Sequence, residues 1–253
     1  MTPLEVVPLQ GLPFIRAGDD LVELVASALK LNGVTPRAGD VLVVAQKIVS
    51  KAEGRVVDLA TIEPSAQAVA LATDVDKDPR LVEVILSESV RVVRARRGVL
   101  IVEHRLGFIM ANAGVDQSNV APADGSHCVL LLPENPDGSA ETLRRGLAAV
   151  TGIDVAVVIN DSFGRPWRQG TVSVAIGVAG LPALIDLRGR PDLFGGLEVS
   201  VIRFADEVAA AASLLMGQAD EALPAVLIRG LRWSAPETTA ASIIRASNED
   251  LFR

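Results

Sequence analysis

Residues 153–159, IDVAVVI, form an apolar run interrupted only by Asp154, and it ends in Asn160, Asp161 and Ser162. The run is short and rich in β-branched residues, so it reads as a strand buried on both faces. DVLVVA at 40–45 and AVLIR at 225–229 have the same character, and the opening run at 4–9 is strand-like until Gly11, Pro13 and Gly18 break it. Helices are expected between these strands. LVELVASALKL follows Asp19 and Asp20, which predicts a capped amphipathic helix ending near Gly33. Further helices are expected at about 64–73, 79–88, 139–150 and 205–216, and a last one within TTAASIIRAS at 238–247. Residues 90–110 and 171–204 carry short strands and glycine-marked connections, and HCVLLL at 127–132 reads as one more buried strand.

Strands follow strands too often for a doubly wound sheet, which predicts an α+β fold of irregular mixed and antiparallel sheets with flanking helices. Residues 1–253 read as one domain, without repeats or a long linker, and any smaller subdomain cannot be delimited. The core must be aliphatic, because apolar residues make up 49% of the chain, aromatics only 3%, and tyrosine is absent. A net charge of −7 argues against general nucleic-acid binding. One cysteine excludes an intrachain disulfide, and no signal peptide or membrane span is evident. A cytosolic protein is expected.

Four polar constellations carry chemistry. In Gly114-Val115-Asp116-Gln117-Ser118-Asn119, Asp116 can ligate a hard cation and Asn119 can hold a base, sugar or phosphate; a self-bonded turn is the plain alternative. Asn160-Asp161-Ser162-Phe163-Gly164-Arg165-Pro166-Trp167-Arg168-Gln169-Gly170 follows the clearest strand, where a carboxylate often binds metal. Its Ser162 hydroxyl can add to a metal shell, and Arg165 and Arg168 offer forked donors to phosphate or carboxylate, unless they only stack on Trp167. Gln46-Lys47-Ile48-Val49-Ser50-Lys51 sets two lysines four apart, on one face of a helix, where an anion would relieve their repulsion; otherwise they are solvated. Met216-Gly217-Gln218-Ala219-Asp220-Glu221 is either an oxygen-rich site or an ordinary helix-to-strand turn. His104 and His127 give no zinc spacing and no triad, and His127 beside Cys128 reads as a core or edge histidine. No GxGxxG or GxxxxGK[ST] loop occurs.

GLP at 11–13, AQKIVSKAEG at 45–54, NAGVDQSN at 112–119, NDSFGRPWRQG at 160–170 and MGQADE at 216–221 occur in the same order as in the coenzyme F(420)-0:γ-glutamyl ligases, which this chain resembles over most of its length. The resemblance implies that GTP drives attachment of L-glutamate to the terminal carboxylate of the lactyl-phosphate arm of the deazaflavin F(420)-0, through an acyl phosphate, with further γ-linked additions open. It implies two divalent ions, magnesium or manganese, with potassium as a further ion. Asp116 and Asp161 would hold one divalent ion, Ser162 and Gln218 the other, and Ser162 stands where the family more often has threonine. Asp220 and Glu221 compete with Gln218 for that second role. Gly11, Leu12, Pro13, Phe14, Gln46, Lys47, Lys51, Asn119 and the loop Met216, Gly217, Gln218, Ala219, Asp220, Glu221, Ala222 and Leu223 would line the GTP site. The implied assembly is an intertwined homodimer. Some relatives carry a C-terminal flavin-binding domain, so this chain is either a stand-alone enzyme or an excised domain. A two-metal phosphohydrolase and a non-catalytic nucleotide sensor are the rival readings of the same residues.

Overall fold

The computed structural model describes residues 3–120 and 127–250. Its centre is a five-stranded sheet in the order β1-β12-β2-β8-β9, built from β1 (Glu5–Pro8), β2 (Val41–Ala45), β8 (Ala156–Arg165), β9 (Arg168–Ala179) and β12 (Ala225–Arg229). Only β2 and β8 run parallel; the other pairings are antiparallel. The apolar runs at 40–45 and 225–229 thus become central strands, buried on both faces as their composition requires.

On one face lie α1 (Leu21–Leu31) and α5 (Pro136–Thr151), over a core that includes Leu42, Val44, Leu143, Leu147, Val157 and Ile159. On the other lies α6 (Phe204–Met216), over Val41, Val43, Val158, Val226 and Ile228. Strand alternation sends successive residues of β2, β8 and β12 to opposite cores. Asp20 caps α1 by accepting from the Val22 and Glu23 amides, as its sequence position predicts. Gly177 of β9 lets α5 pack closely, since a Cβ there would lie 2.4 Å from the Pro136 carbonyl oxygen.

A third core, with Leu59, Ala72, Leu81, Ile85, Leu100, Val102 and Val129, sits beneath two helices and two small sheets. The helices are α3 (Ala66–Val75) and α4 (Pro79–Ser87). One sheet joins β4 (Ser89–Arg96), β5 (Val99–His104) and β6 (Ile109–Ala111), and the other pairs β3 (Val56–Asp58) with β7 (Cys128–Leu130). The short helix α2 (Gln46–Ala52) follows β2 directly, and β10 (Ile185–Asp186) pairs with β11 (Val201–Ile202) at the base of an exposed arm. The α+β expectation holds. No helix among the described residues is long and apolar enough to cross a membrane.

Three local expectations change. The strand expected to stop at Asn160 continues to Arg165 and turns back through Pro166 and Trp167 into β9, so the longest polar motif is a hairpin. Its backbone polar groups find partners across the ladder, which composition alone does not reveal. The last helix, expected within 238–247, shrinks to a 3₁₀ turn, Ala240–Ile243. β-Branched Thr238, Thr239, Ile243 and Ile244 disfavour a longer helix there, and Asp137 accepts the Ala240 amide at 2.9 Å where the short turn begins. Helix α5 starts at Pro136 rather than Ser139, because Asn135 caps it and proline suits the first turn.

Candidate active site

The sheet order explains why four distant motifs meet. Leu9, just past β1, donates its amide to the Ala225 carbonyl at the start of β12 (2.9 Å), and Ala45, closing β2, donates to the Pro224 carbonyl (2.8 Å). Ala45 is also in register with Asn160 on β8. The ends of β1 and β2, the start of β12 and the middle of β8 therefore share one edge of the sheet. From that edge spring Gly11, Leu12, Pro13 and Phe14, the lysine helix α2, the loop from Met216 to Leu223, and the Asn160–Ser162 stretch. The fifth motif arrives from the third core: Asp116 bridges to Leu130 by backbone bonds in both directions, which holds its loop beside α2.

Lys47 anchors the centre. Its ammonium lies 2.8 Å from an Asp116 carboxylate oxygen and donates to the Ser118 hydroxyl at 2.7 Å. Ser118 in turn donates its amide to Asp116 at 2.6 Å. Burial would raise the Asp116 carboxyl, but Lys47 and the Ser118 donors outweigh it and hold it below the usual range. Asp161 goes the other way: burial pushes it up to about 7, and the neighbouring Asp116 charge adds to the rise against the Ser118-like amide of Ser162 and the charge of Lys47. Two carboxylates that oppose each other's ionisation form a site that favours a cation between them. Lys51, one helical turn along, is lowered by burial and by Lys47, and donates to the Asn119 carbonyl at 2.7 Å.

β8 divides its residues between two faces. Asn160 donates to the Met216 sulfur at 3.4 Å, and the Ser162 hydroxyl donates to Gln218 Oε1 at 2.7 Å, both toward the end of α6. Asp161 and Phe163 point to the opposite side by alternation, where Phe163 joins the core under α1 and α5. The register of β8 against β9 shifts between Ile159 and Asn160, a bulge placed where the motif begins. The carboxylate pair and the Ser162–Gln218 pair thus flank one strand. Their oxygen-only donors suit magnesium or manganese rather than zinc. Among the described residues no group of three or more His, Cys, Asp or Glu could hold an ion.

Other named residues sort by geometry. Glu221 accepts from the Ala219 amide at 2.9 Å and folds over Gly217, occupying the space a Cβ on that glycine would need, so it organises its own loop. Asp220 is exposed, and Asn119 donates to the Ala219 carbonyl at 3.2 Å, tying two motif loops together. Gln46 is buried and accepts from Ser50 at 2.8 Å, so its side chain is turned inward. Phe14 is 94% exposed. Arg168 pairs with Arg165 at the hairpin tip, four residues and about 13 Å along the strand from Asp161, so Arg168 is not gathered into the centre. The Arg165 side chain lies outside the described part of the structure. His127 is exposed, whereas His104 is fully buried.

Sequence reasoning passed over Ser118 and Asn160 as site residues, although both stand inside motifs that it singled out. Backbone conformation marks the same loops. Among the described residues, Asn112, Ala113, Asn119, Trp167 and Ala222 are left-handed without being glycine, and Asp76 is the other such residue. Strain of this kind concentrates where geometry is held for function.

Comparison with known proteins identifies the family. The family model for F420-0:Gamma-glutamyl ligase matches residues 11–230. A coenzyme F420:L-glutamate ligase of Methanothermobacter thermautotrophicus is 46% identical over 253 residues, covering 99% of both chains. One from Methanopyrus kandleri is 47% identical over 256 residues, covering 99% of this chain and 97% of the relative. One from Archaeoglobus fulgidus is 44% identical over 251 residues, covering 99% and 96%. A match of this length and depth, over all five converging motifs, means that the chain belongs to the F420-0:γ-glutamyl ligase family.

Proposed function

We propose that this protein is a GTP-dependent ligase that joins L-glutamate to the terminal carboxylate of coenzyme F(420)-0, releasing GDP and phosphate. The observation that carries the reading is the meeting of Lys47, Lys51, Asp116 and Asp161 at one sheet edge, which sets ammonium groups suited to phosphate beside carboxylates suited to a cation. The acceptor carboxylate attacks the γ-phosphorus, the bond to the bridging oxygen of GDP breaks, and an acyl phosphate forms. The glutamate α-amine then attacks the acyl carbon, phosphate leaves, and the amine loses a proton. Such transfers need placement and charge neutralisation more than covalent help from the protein.

Asp116 and Asp161 would hold one divalent ion, and Ser162 with Gln218 a second, with potassium as a further ion. When bound, magnesium or manganese supplies charge neutralisation at phosphate oxygens. Lys47 and Lys51 bind and orient the β- and γ-phosphates once Lys47 exchanges Asp116 for them. The loops of Gly11–Phe14, Asn119 and Met216–Leu223 enclose the nucleotide. With GTP as donor, the reaction belongs in the cytoplasm.

The working unit we propose is a homodimer. The arm between β10 and β11 holds Leu193 and Phe194 97% exposed, in a tip fixed by Asp192, which accepts from the Phe194 and Gly196 amides at 2.8 Å each. An ordered apolar tip of this kind fits burial against a second copy. Mass spectrometry of a reaction with F(420)-0, L-glutamate, GTP and manganese tests the activity. A gain of one glutamyl unit, or a ladder of them, that requires GTP is expected. GTP hydrolysis without glutamylated product would instead mark a phosphohydrolase, and binding without turnover a sensor.

A further inference from the structure

β9 is an edge strand, and a groove runs beside it in two lobes of about 220 and 280 Å³. The first lobe is lined by Phe108, Ile109, Phe163, Ile243, Ile244 and Arg245 among others. The second is lined by Val172, Ser173, Ile202 and Ala210 among others, and Val174, Arg203 and Asp206 are common to both. Together the lobes reach the range that takes a drug-sized molecule.

Two facts connect this groove to the carboxylate centre. Val174, in its shared wall, is the cross-strand partner of Asp161, which places their Cβ atoms about 5 Å apart. Phe163 stands two residues beyond Asp161 on the same face of β8, about 7 Å along the strand. The first lobe is aromatic at its floor, where Phe163 meets Phe108 edge to face with ring centroids 5.6 Å apart. Gly107 keeps that floor close to Ile244, which lies 3.2 Å from where a glycine Cβ would be. Its rim is polar. Arg245 is exposed there, and Arg203 at the shared wall is 3.3 Å from Asp206, whose other oxygen accepts the Ala175 edge amide at 3.0 Å.

We propose that this groove is the acceptor site: the planar deazaflavin ring lies in the Phe108–Phe163–Ile244 lobe, and the phosphate arm passes Arg203 at Val174 to bring its terminal carboxylate to Asp161. The proposal rests on the ligase reading above. Aliphatic and aromatic walls suit the flat ring, the Arg245 guanidinium matches the ring's carbonyl oxygens, and Arg203 matches the phosphodiester charge. Asp206 is occupied by Arg203 and the β9 edge, which leaves a guanidinium face for the arm.

The test measures F(420)-0 binding without GTP, by anisotropy of the deazaflavin fluorescence, together with steady-state ligation kinetics. Phe108→Ala and Arg245→Ala are each expected to raise the Kd and the KM for F(420)-0 about tenfold, the size of one lost aromatic or charge-assisted contact. The KM values for GTP and glutamate should stay within about twofold, and Arg245→Lys should recover part of the loss. Wild-type ligation with unchanged F(420)-0 affinity in both variants would overturn the groove and leave the ligase standing. Parallel rises in all three KM values would also overturn it, by showing a general structural effect. Selective loss of F(420)-0 affinity in a protein that makes no glutamylated product would support the groove and overturn the ligase instead.

Discussion

Asp116 and Asp161 illustrate how neighbours divide two identical functional groups. A lysine and a serine hold one carboxylate ionised, while burial and the first carboxylate push the other to about 7. Replacing either by asparagine keeps the shape but removes a charge that the proposed divalent ion would need. We expect Asp116→Asn and Asp161→Asn each to lower ligation at least about a hundredfold, since even residues that merely support metal ligands cost 10- to 100-fold. Added manganese should restore part of the activity only at concentrations far above those the wild type needs, which a metal titration of the initial rate would show. Removing metal with EDTA should stop glutamylation in the wild type, and magnesium or manganese should restore it.

Among the elements, β12 depends most on a single polar lock. Arg229 at its end reaches Asp40 in a two-pronged pair, at 2.9 and 2.7 Å, and Asp40 is only 1% exposed. Asp40 also accepts the Arg37 amide at 2.9 Å, and its carbonyl receives the Ala156 amide at 3.1 Å, so the loop before β2, β8 and β12 all converge on it. Arg229→Ala leaves a buried carboxylate without its cation and should cost about 3–5 kcal/mol, read as a lower urea midpoint with an unchanged slope. β9 shows a related device. Asp206 and Asp137 accept its edge amides at Ala175 and Val178, which blocks further strand pairing over that stretch.

For the whole molecule, one buried cluster fastens the third core to the main body. Glu88, after α4, meets Arg55 at 2.9 Å, Arg105 at 3.0 Å and the His104 ring nitrogen at 3.4 Å, while Arg55 also donates to the Leu132 carbonyl. Burial would raise the Glu88 carboxyl, but these three partners outweigh it and hold it at about 2. A carboxyl depressed on folding contributes stability that is fully present above its unfolded value, about 4.3, and is lost as pH falls toward 2. Chemical denaturation between pH 5 and 2 should show that loss, and Glu88→Gln should flatten the profile while lowering stability at neutral pH. Assembly is the second matter at this scale. Leu193→Ser together with Phe194→Ser should convert the proposed dimer to monomer in sedimentation, with the far-ultraviolet circular dichroism unchanged because both side chains face solvent.

By itself the sequence determined the α+β class, strands in the apolar runs at 40–45 and 225–229, the amphipathic helix that ends near Gly33 and the identity of the motif residues. These are local properties: an apolar run too short for a helix, or an Asp followed by a periodic stretch, constrains its own backbone wherever it lies. Tertiary structure alone decided that NDSFGRPWR is a hairpin, because a polar segment stays extended only where a partner strand accepts its amides. It likewise decided that Gln218, rather than Asp220 or Glu221, faces Ser162, and that Arg168 stands at a tip away from Asp161. In the TTAASIIRAS segment only a 3₁₀ turn forms, and Asp137, a hundred residues earlier, accepts its Ala240 and Ala241 amides. Pairings between residues far apart in the chain follow from sheet order and register, and neither is encoded in any one segment.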